Sequence, residues 1–196
     1  MIGGIILSAG ESKRMGEPKA LLKIGKTIFV NHIIEVLCGA NIKEIVTVLG
    51  HNYKQILENI NRDNTEIVIN YNYKEGQLSS LISGLEFFQE KDVEGVIVCL
   101  VDHPLLSENL VKSMVDAFKM SGKKIVVPVY RGKRGHPVIF SRSIFEQIRN
   151  ASPEVGAREV LWKNKNDVFE LETDDESVLI GINTPEDYKK FIKNTE

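Results

Sequence analysis

Cysteine is scarce, with two residues in a chain of 196, and that scarcity excludes a disulfide framework. Cys38 and Cys99 both lie in apolar runs. They read as reduced core residues of a cytoplasmic protein rather than as a bridge or a metal clip. The four histidines, His32, His51, His103 and His136, show no zinc-type spacing among themselves or with the cysteines. Neither sign of charge dominates. With 25 Lys and Arg against 27 Asp and Glu the net charge is −2, so nothing advertises a nucleic-acid or membrane surface. No apolar stretch approaches the roughly 20 residues that cross a bilayer. The start, Met1-Ile2-Gly3-Gly4, has no basic segment and runs straight into an apolar strand, so no signal peptide is expected. Internal repeats, low-complexity segments and interdomain linkers are also absent.

Two common nucleotide signatures are missing too. There is no G-x-G-x-x-G. Gly25-Lys26-Thr27 imitates the end of a Walker A loop, but the required glycine five residues earlier is Ala20. No strand immediately precedes it, and it reads as a turn into a helix.

What is present is alternation. At 42% hydrophobic content the chain suits a single domain, 1–196. Strands are expected at Ile2–Leu7, Glu44–Leu49, Glu66–Asn70, Val93–Val101, Lys124–Tyr130 and Val138–Phe140, with weaker signals at Val168–Leu171 and Val178–Gly181. Helices are expected at Thr27–Cys38, Tyr53–Asn61, Gln77–Gln89, Ser107–Met120, Arg142–Asn150, Ala157–Lys163 and Pro185–Asn194. Continuous runs such as Ile45-Val46-Thr47-Val48-Leu49 belong to strands covered on both faces, hence to a mostly parallel sheet. The pattern predicts an α/β fold: a doubly wound, Rossmann-like three-layer α/β/α sandwich. Arg131-Gly132-Lys133-Arg134-Gly135 is a turn between strands, so one antiparallel hairpin interrupts the parallel order. Ser107 and Thr184-Pro185 read as helix caps.

Leu7 to Lys19 reads L-S-A-G-E-S-K-R-M-G-E-P-K. A buried strand ends in a small-residue loop whose amides can close on an anion, followed by the flexible cations Arg14 and Lys19. A polyphosphate cradle and a plain surface loop punctuated by Gly10, Gly16 and Pro18 are the two readings. In doubly wound sheets ligands bind beyond the carboxyl ends of strands. The loops at Ser8–Lys19, Tyr71–Ser80 and Asp102–Pro104 all fall there, which favours the cradle.

The loop resembles the signature L-[AS]-[AG]-G-x-S-x-R-[MF]-G-x-[PD]-K of the molybdenum cofactor nucleotidyltransferases at every defined position. Further blocks resemble the family in order: Gly76 to Leu81 with Gly84-Leu85, Asp102-His103-Pro104, Arg134-Gly135-His136-Pro137, Gly156-Ala157-Arg158 and Asn183-Thr184-Pro185-Glu186-Asp187. The departures are Ser8 for a more frequent Ala, His103 for Gln or Met, and Asn183 for the Asp of many cytidylyltransferase relatives. The resemblance implies the nucleotide-diphospho-sugar transferase type of fold and Mg²⁺-dependent transfer of a nucleotide to molybdopterin with release of pyrophosphate. Ala9-Gly10 resembles the cytidine-transferring branch, against Gly-Gly for guanosine, so CTP is the expected triphosphate.

On that reading Lys19, Arg14 and Asp102 are catalytic. Leu7, Ser8, Ala9, Gly10, Gly16, Lys19, Asn70 and Ser80 contact the nucleotide. His136 and Arg134 contact the acceptor, and Asp102 with Asn183 holds the metal. Plainer roles stand beside these. Asp102 and Asn183 could cap helices, His136 could be a solvated turn residue in a solvated basic hairpin tip, and Ser80 an exposed hydroxyl. The alternatives in function are GTP as donor, another acceptor such as a sugar 1-phosphate, or a non-catalytic carrier that hands the finished cofactor to a molybdenum hydroxylase.

Overall fold

The computed structural model describes residues 1–192. The chain opens with β1 (Ile2–Ser8); after a long loop, a small hairpin of β2 (Lys23–Ile24) and β3 (Thr27–Ile28) leads into α1 (Phe29–Gly39). There follow β4 (Ile45–Leu49), α2 (Tyr53–Leu57), β5 (Glu66–Ile69), α3 (Gln77–Phe87), β6 (Gly95–Leu100) and α4 (Glu108–Ser121). The second half holds β7 (Ile125–Tyr130), β8 (Lys133–Arg134), β9 (Val138–Ser141), α5 (Phe145–Arg149), α6 (Arg158–Lys163), β10 (Val168–Glu172) and α7 (Pro185–Phe191).

Apart from the β2–β3 hairpin, the strands form one sheet in the order β10-β7-β9-β6-β1-β4-β5, with β8 added to β7. β1 pairs in parallel with β4 and β6, β4 with β5, and β7 with β10. The antiparallel members are β9, wedged between β6 and β7, and β8. The turn from β7 to β8 is Arg131-Gly132, both at positive φ (49° and 74°), the conformation a tight hairpin requires. The mostly parallel sandwich with an antiparallel interruption is therefore present.

β1 explains the layering. All seven of its residues are buried. Ile2 and Ile6 point into a cluster with Ile33 and Leu37 of α1 and Val111 and Met114 of α4. Ile5 and Leu7 point the other way, toward Leu81 and Leu85 of α3 and Ile148 of α5. A strand that must satisfy two helical layers has no polar face, which is why its sequence reads as a continuous apolar run. Each large side chain buried in this way contributes about 1.5–3 kcal/mol. Across the described residues, no helix is long and apolar enough to cross a membrane.

Several element boundaries differ from the sequence reading. Val178–Gly181 is not a strand: Glu176–Leu179 is a 3₁₀ turn, capped by Asp175 accepting from the Ser177 amide. Thr27 and Ile28 pair with Lys23 and Ile24 instead of starting α1, a use that suits β-branched residues just after the Gly25 turn. Arg142–Asn150 divides into a 3₁₀ turn and the short α5. α2 ends at Leu57 and β6 begins at Gly95. The last two residues of the helix expected at Pro185–Asn194 lie outside the described residues.

β1, β4, β5 and β6 run parallel, so the loops following them share one edge of the sheet. The chain builds outward from β1 through β4 and β5, then returns to place β6 on the other side of β1. The crevice at that reversal is where doubly wound sheets bind ligands.

Candidate active site

The loop after β1 is held in a set shape. Ser12 lies in the left-handed region (φ 52°) and Gly16 at φ 83°, a conformation costly for a side chain other than glycine's at the second position. The amides of Met15 and Gly16 both donate to Ser12 O, at 2.9 and 3.1 Å. Met15 is buried against Leu22, Phe29 and Ile182, anchoring the loop from beneath. The Lys19 amide donates to Ser12 Oγ at 3.3 Å, tying the loop's start to its functional end. A Cβ on Gly10 or Gly16 would meet no protein atom within 4 Å, so the space beside both is open. The loop borders a cleft of about 310 Å³ that Leu7, Ser8, Ala9, Gly10, Lys19, Ser80 and Asp102 help to line.

At one flank of the cleft stands Lys19. Its ammonium donates to Asp102 Oδ2 at 3.0 Å and to Asn183 Oδ1 at 2.8 Å. Arg14 donates to the same Asn183 oxygen at 3.1 Å. Helix capping does not claim either oxygen donor. α4 is capped by Ser107 accepting from the Leu110 amide, and α7 by Thr184 in a reciprocal capping box with Asp187. Asn183 instead donates its amide N–H to Asp187 and its side-chain N–H to Gly181 O, which turns Oδ1 toward the cations. The backbone hydrogen bond from Asn183, aided by those from Thr184, holds the Asp187 carboxyl below its usual range.

The oxygens of Asp102 and Asn183 already converge on one cation, and one of them belongs to a carboxyl group. That donor set fits Mg²⁺, which takes one or two protein oxygens and completes its shell with water and substrate phosphates. No group of three or more His, Cys, Asp and Glu side chains placed to hold a metal exists among the described residues, so phosphate oxygens would have to supply the rest.

Asn70 and Ser80 are both buried, at 5% and 3% exposure, so Ser80 is not the exposed hydroxyl of a plain helix start. Asn70 Nδ2 donates to Ser79 Oγ and Ser80 Oγ at 2.9 and 3.0 Å, and its Oδ1 accepts from the Asn72 amide. Its amide organises the loop after β5, while Ser80 lines the cleft. Ala9 is buried as well. A Cβ on Gly50 would fall 2.8 Å from the Ala9 methyl, so that methyl is turned toward the loop after β4.

A second cavity of about 520 Å³ adjoins the first, sharing Leu7, Gln77 and Leu100. Its polar lining includes His136, Arg134 and Arg158, with Trp162 at its border. His136 is not a solvated turn residue: its Nδ1, like that of His103, is buried with no hydrogen-bond partner among the described residues. The two rings lie 5.0 Å apart. Burial pushes His136 down to about 4, helped by His103 and Arg158 and opposed by Asp102. Burial likewise lowers His103, again against Asp102. Both rings are therefore neutral at neutral pH.

Arg134 lines the cavity but is paired with Glu170 of β10 at 2.7 Å. Arg158 forms no ion pair among the described residues. The outer hairpin tip, Arg131 to Lys133, is exposed, as a solvated tip should be. Sequence reasoning gave no role to Ser12, Arg158, Tyr73 or Trp162. The first two lay within quoted motifs; the single tryptophan, 58% exposed on a helix, was itself a signal.

Comparison with known proteins places the chain among relatives of similar fold. Nicotine blue oxidoreductase of Paenarthrobacter nicotinovorans is 27% identical over 97% of this chain and 96% of its own length. A probable molybdenum cofactor guanylyltransferase of Bacillus mycoides (strain KBAB4) is 28% identical, over 67% of this chain and 63% of its own. Among solved structures, Rv0371c from Mycobacterium tuberculosis H37Rv matches with a TM-score of 0.87 at 25% identity, covering 98% of this chain and 97% of that one. Its complex with manganese matches at 0.82 and 23% identity, covering 98% of each chain. The sequence profile of the MobA-like NTP transferase domain matches residues 4–168, a span running from β1 through the phosphate-loop candidate and Asp102 to the start of β10, and the chain belongs to that family.

Proposed function

We propose that this protein transfers the nucleotidyl group of CTP to the molybdenum cofactor and releases pyrophosphate, with Mg²⁺ as its metal, in the cytoplasm. One observation carries the reading: Lys19 Nζ bridges Asp102 Oδ2 and Asn183 Oδ1 at the flank of a nucleotide-sized cleft. A cation between two hard oxygens, beside a loop with open space at Gly10 and Gly16, suits a triphosphate far better than an apolar ligand. The acceptor is supported by the guanylyltransferase relative's name, and divalent metal by the manganese complex of a structural neighbour.

In the reaction an oxygen of the acceptor's terminal phosphate attacks the α-phosphorus, the α–β bridging P–O bond breaks, and the electron pair leaves with pyrophosphate. Such transfer asks the protein mainly for in-line positioning and charge neutralisation. The small residues Ala9, Gly10 and Gly16 leave room at the loop, and Ser8, Leu7 and Ser80 wall the cleft. Lys19, backed by Arg14 through Asn183, neutralises charge on the departing pyrophosphate. Asp102 and Asn183 would hold the divalent ion, which when bound supplies Lewis-acid neutralisation of the phosphates. The adjoining cavity takes the acceptor, with neutral His136 able to donate or accept one hydrogen bond and Arg134 at its border. The product would then pass to a molybdenum hydroxylase.

Incubating the enzyme with each of the four triphosphates, Mg²⁺ and molybdenum cofactor tests this, with pyrophosphate as readout. Release with CTP above GTP is expected. Release only with a sugar 1-phosphate would replace the acceptor, and cofactor binding without release would mark a carrier. The near full-length likeness to a protein named as an oxidoreductase favours a second reading, in which the cleft serves a nucleotide redox cofactor. That reading predicts no pyrophosphate with any triphosphate.

A further inference from the structure

The cleft has two flanks, set by strand order. Asp102 follows β6, while Gly50 and His51 follow β4 and Tyr73 follows β5. β6 and β4 lie on opposite sides of β1, so the Lys19–Asp102 pair and the Tyr73 loop face each other across the β1 loop. Two strand spacings, about 10 Å, separate β6 from β4, and three, about 14 Å, separate it from β5. If the phosphates sit at the cationic flank, the base falls at the other.

Tyr73 is the one aromatic ring among the described residues lining the cleft, and its placement is tightly specified. A Cβ on Gly50 would come within 2.7 Å of Tyr73 Cβ and 2.8 Å of both Ala9 Cβ and Ala9 O. Only glycine there lets the tyrosine close against the β1 loop. The His51 amide donates to Ala9 O at 3.0 Å, and a hydrogen bond of 3.2 Å joins His51 Nδ1 and the Tyr73 hydroxyl. The His51 ring also packs on the tyrosine, centroids 5.7 Å apart. The side chain is thus braced at Cβ and at its hydroxyl, and it lines the cleft.

Resting on the nucleotide-binding reading and deepening it, we propose that Tyr73 is the platform on which the nucleobase stacks, and that Gly50 and His51 are its positioning residues. Stacking tolerates any base, because every base has a π-face. Tyr73 therefore supplies affinity for CTP and GTP alike. The Ala9 methyl, packed behind the platform, acts on base choice by setting where the platform stands.

Calorimetric titration separates base stacking from damage to the loop, using CTP and GTP with Mg²⁺ beside inorganic tripolyphosphate, which has no base. Tyr73→Leu should weaken CTP and GTP about tenfold each and leave tripolyphosphate unchanged. Tyr73→Phe should keep most of the CTP affinity, because it keeps the ring. Gly50→Ala, if its melting temperature shows it folded, should repeat the Tyr73→Leu pattern. Undiminished CTP binding by Tyr73→Leu, or an equal loss of CTP and tripolyphosphate, overturns the platform while the nucleotide reading stands. Wild-type protein that binds neither CTP nor GTP overturns the nucleotide reading itself.

Discussion

Replacing Lys19 by alanine removes the ammonium that touches both Asp102 and Asn183. The lysine side chain is 13% and the carboxylate 25% exposed, 3.0 Å apart. At an effective dielectric near 20 their attraction is about 5 kcal/mol. Most of that offsets the cost of drawing both groups partly out of water, and the net loss of fold stability should be about 1–2 kcal/mol. Activity should suffer more. On the proposed function the ammonium stands where charge would grow on the departing pyrophosphate, and loss of one preorganised donor at such a place costs about 10²–10³ in kcat. Lys19→Arg keeps the charge but replaces a compact ammonium with a planar fork that does not fit between two oxygens 3.0 and 2.8 Å away, so it should recover only part of the rate. Pyrophosphate release at saturating acceptor gives kcat and KM, and thermal melting followed by circular dichroism confirms that the fold survives. Near-normal turnover by a folded Lys19→Ala variant would refute the placement of the phosphates.

Three further outcomes are expected. Asp102→Ala should lose metal-dependent activity even at high Mg²⁺, whereas Asn183→Ala should mainly raise the Mg²⁺ requirement, since an ionised carboxylate holds a hard cation more strongly than an amide; a metal titration of both variants decides it. Ala9→Gly should narrow the preference for CTP over GTP, by an amount within the roughly 1–3 kcal/mol that one small group contributes to discrimination, measured by competition with equimolar triphosphates. His136 titrates at about 4 in the fold against about 6.5 when free, so below pH 6.5 the unfolded chain takes up a proton that the fold refuses. Stability should fall by about 2–3 kcal/mol as pH drops from about 6.5 to about 4, and His136→Asn should remove that part of the slope in urea unfolding across the range.

The layers of the fold were legible because β1, β4 and β6 must be apolar on both faces, and that constraint is written into runs such as Ile5-Ile6-Leu7 and Val96-Ile97-Val98. The helix caps at Ser107 and Thr184 were legible because their chemistry is local. Val178–Gly181 looked like a strand because Val178-Leu179-Ile180 is an apolar run, but the burial of Val178, at 1% exposure, comes from packing a 3₁₀ turn onto the sheet, which no local pattern records. At the site, the meeting of Lys19 with Asp102 followed from motif positions beyond strand ends, whereas Asn183 was reached only through the family resemblance. The commitment of Asn70 to Ser79 and Ser80, the pairing of Arg134 with Glu170, and the brace around Tyr73 did not follow. Each depends on which side chain fills space between elements distant in sequence, and composition and spacing carry no information about that.

The central proposal is that Lys19, with a divalent ion held by Asp102 and Asn183, binds a triphosphate whose nucleotidyl group is passed to an acceptor in the adjoining cavity. Single-turnover transfer from CTP labelled at the α-phosphate, with molybdenum cofactor as acceptor, tests it most directly. The account predicts that label appears on the cofactor in step with pyrophosphate release, and that both vanish together in Lys19→Ala and Asp102→Ala. Label that stays on CTP or is released as free CMP, with the cofactor unlabelled and no other triphosphate able to replace CTP, would contradict it.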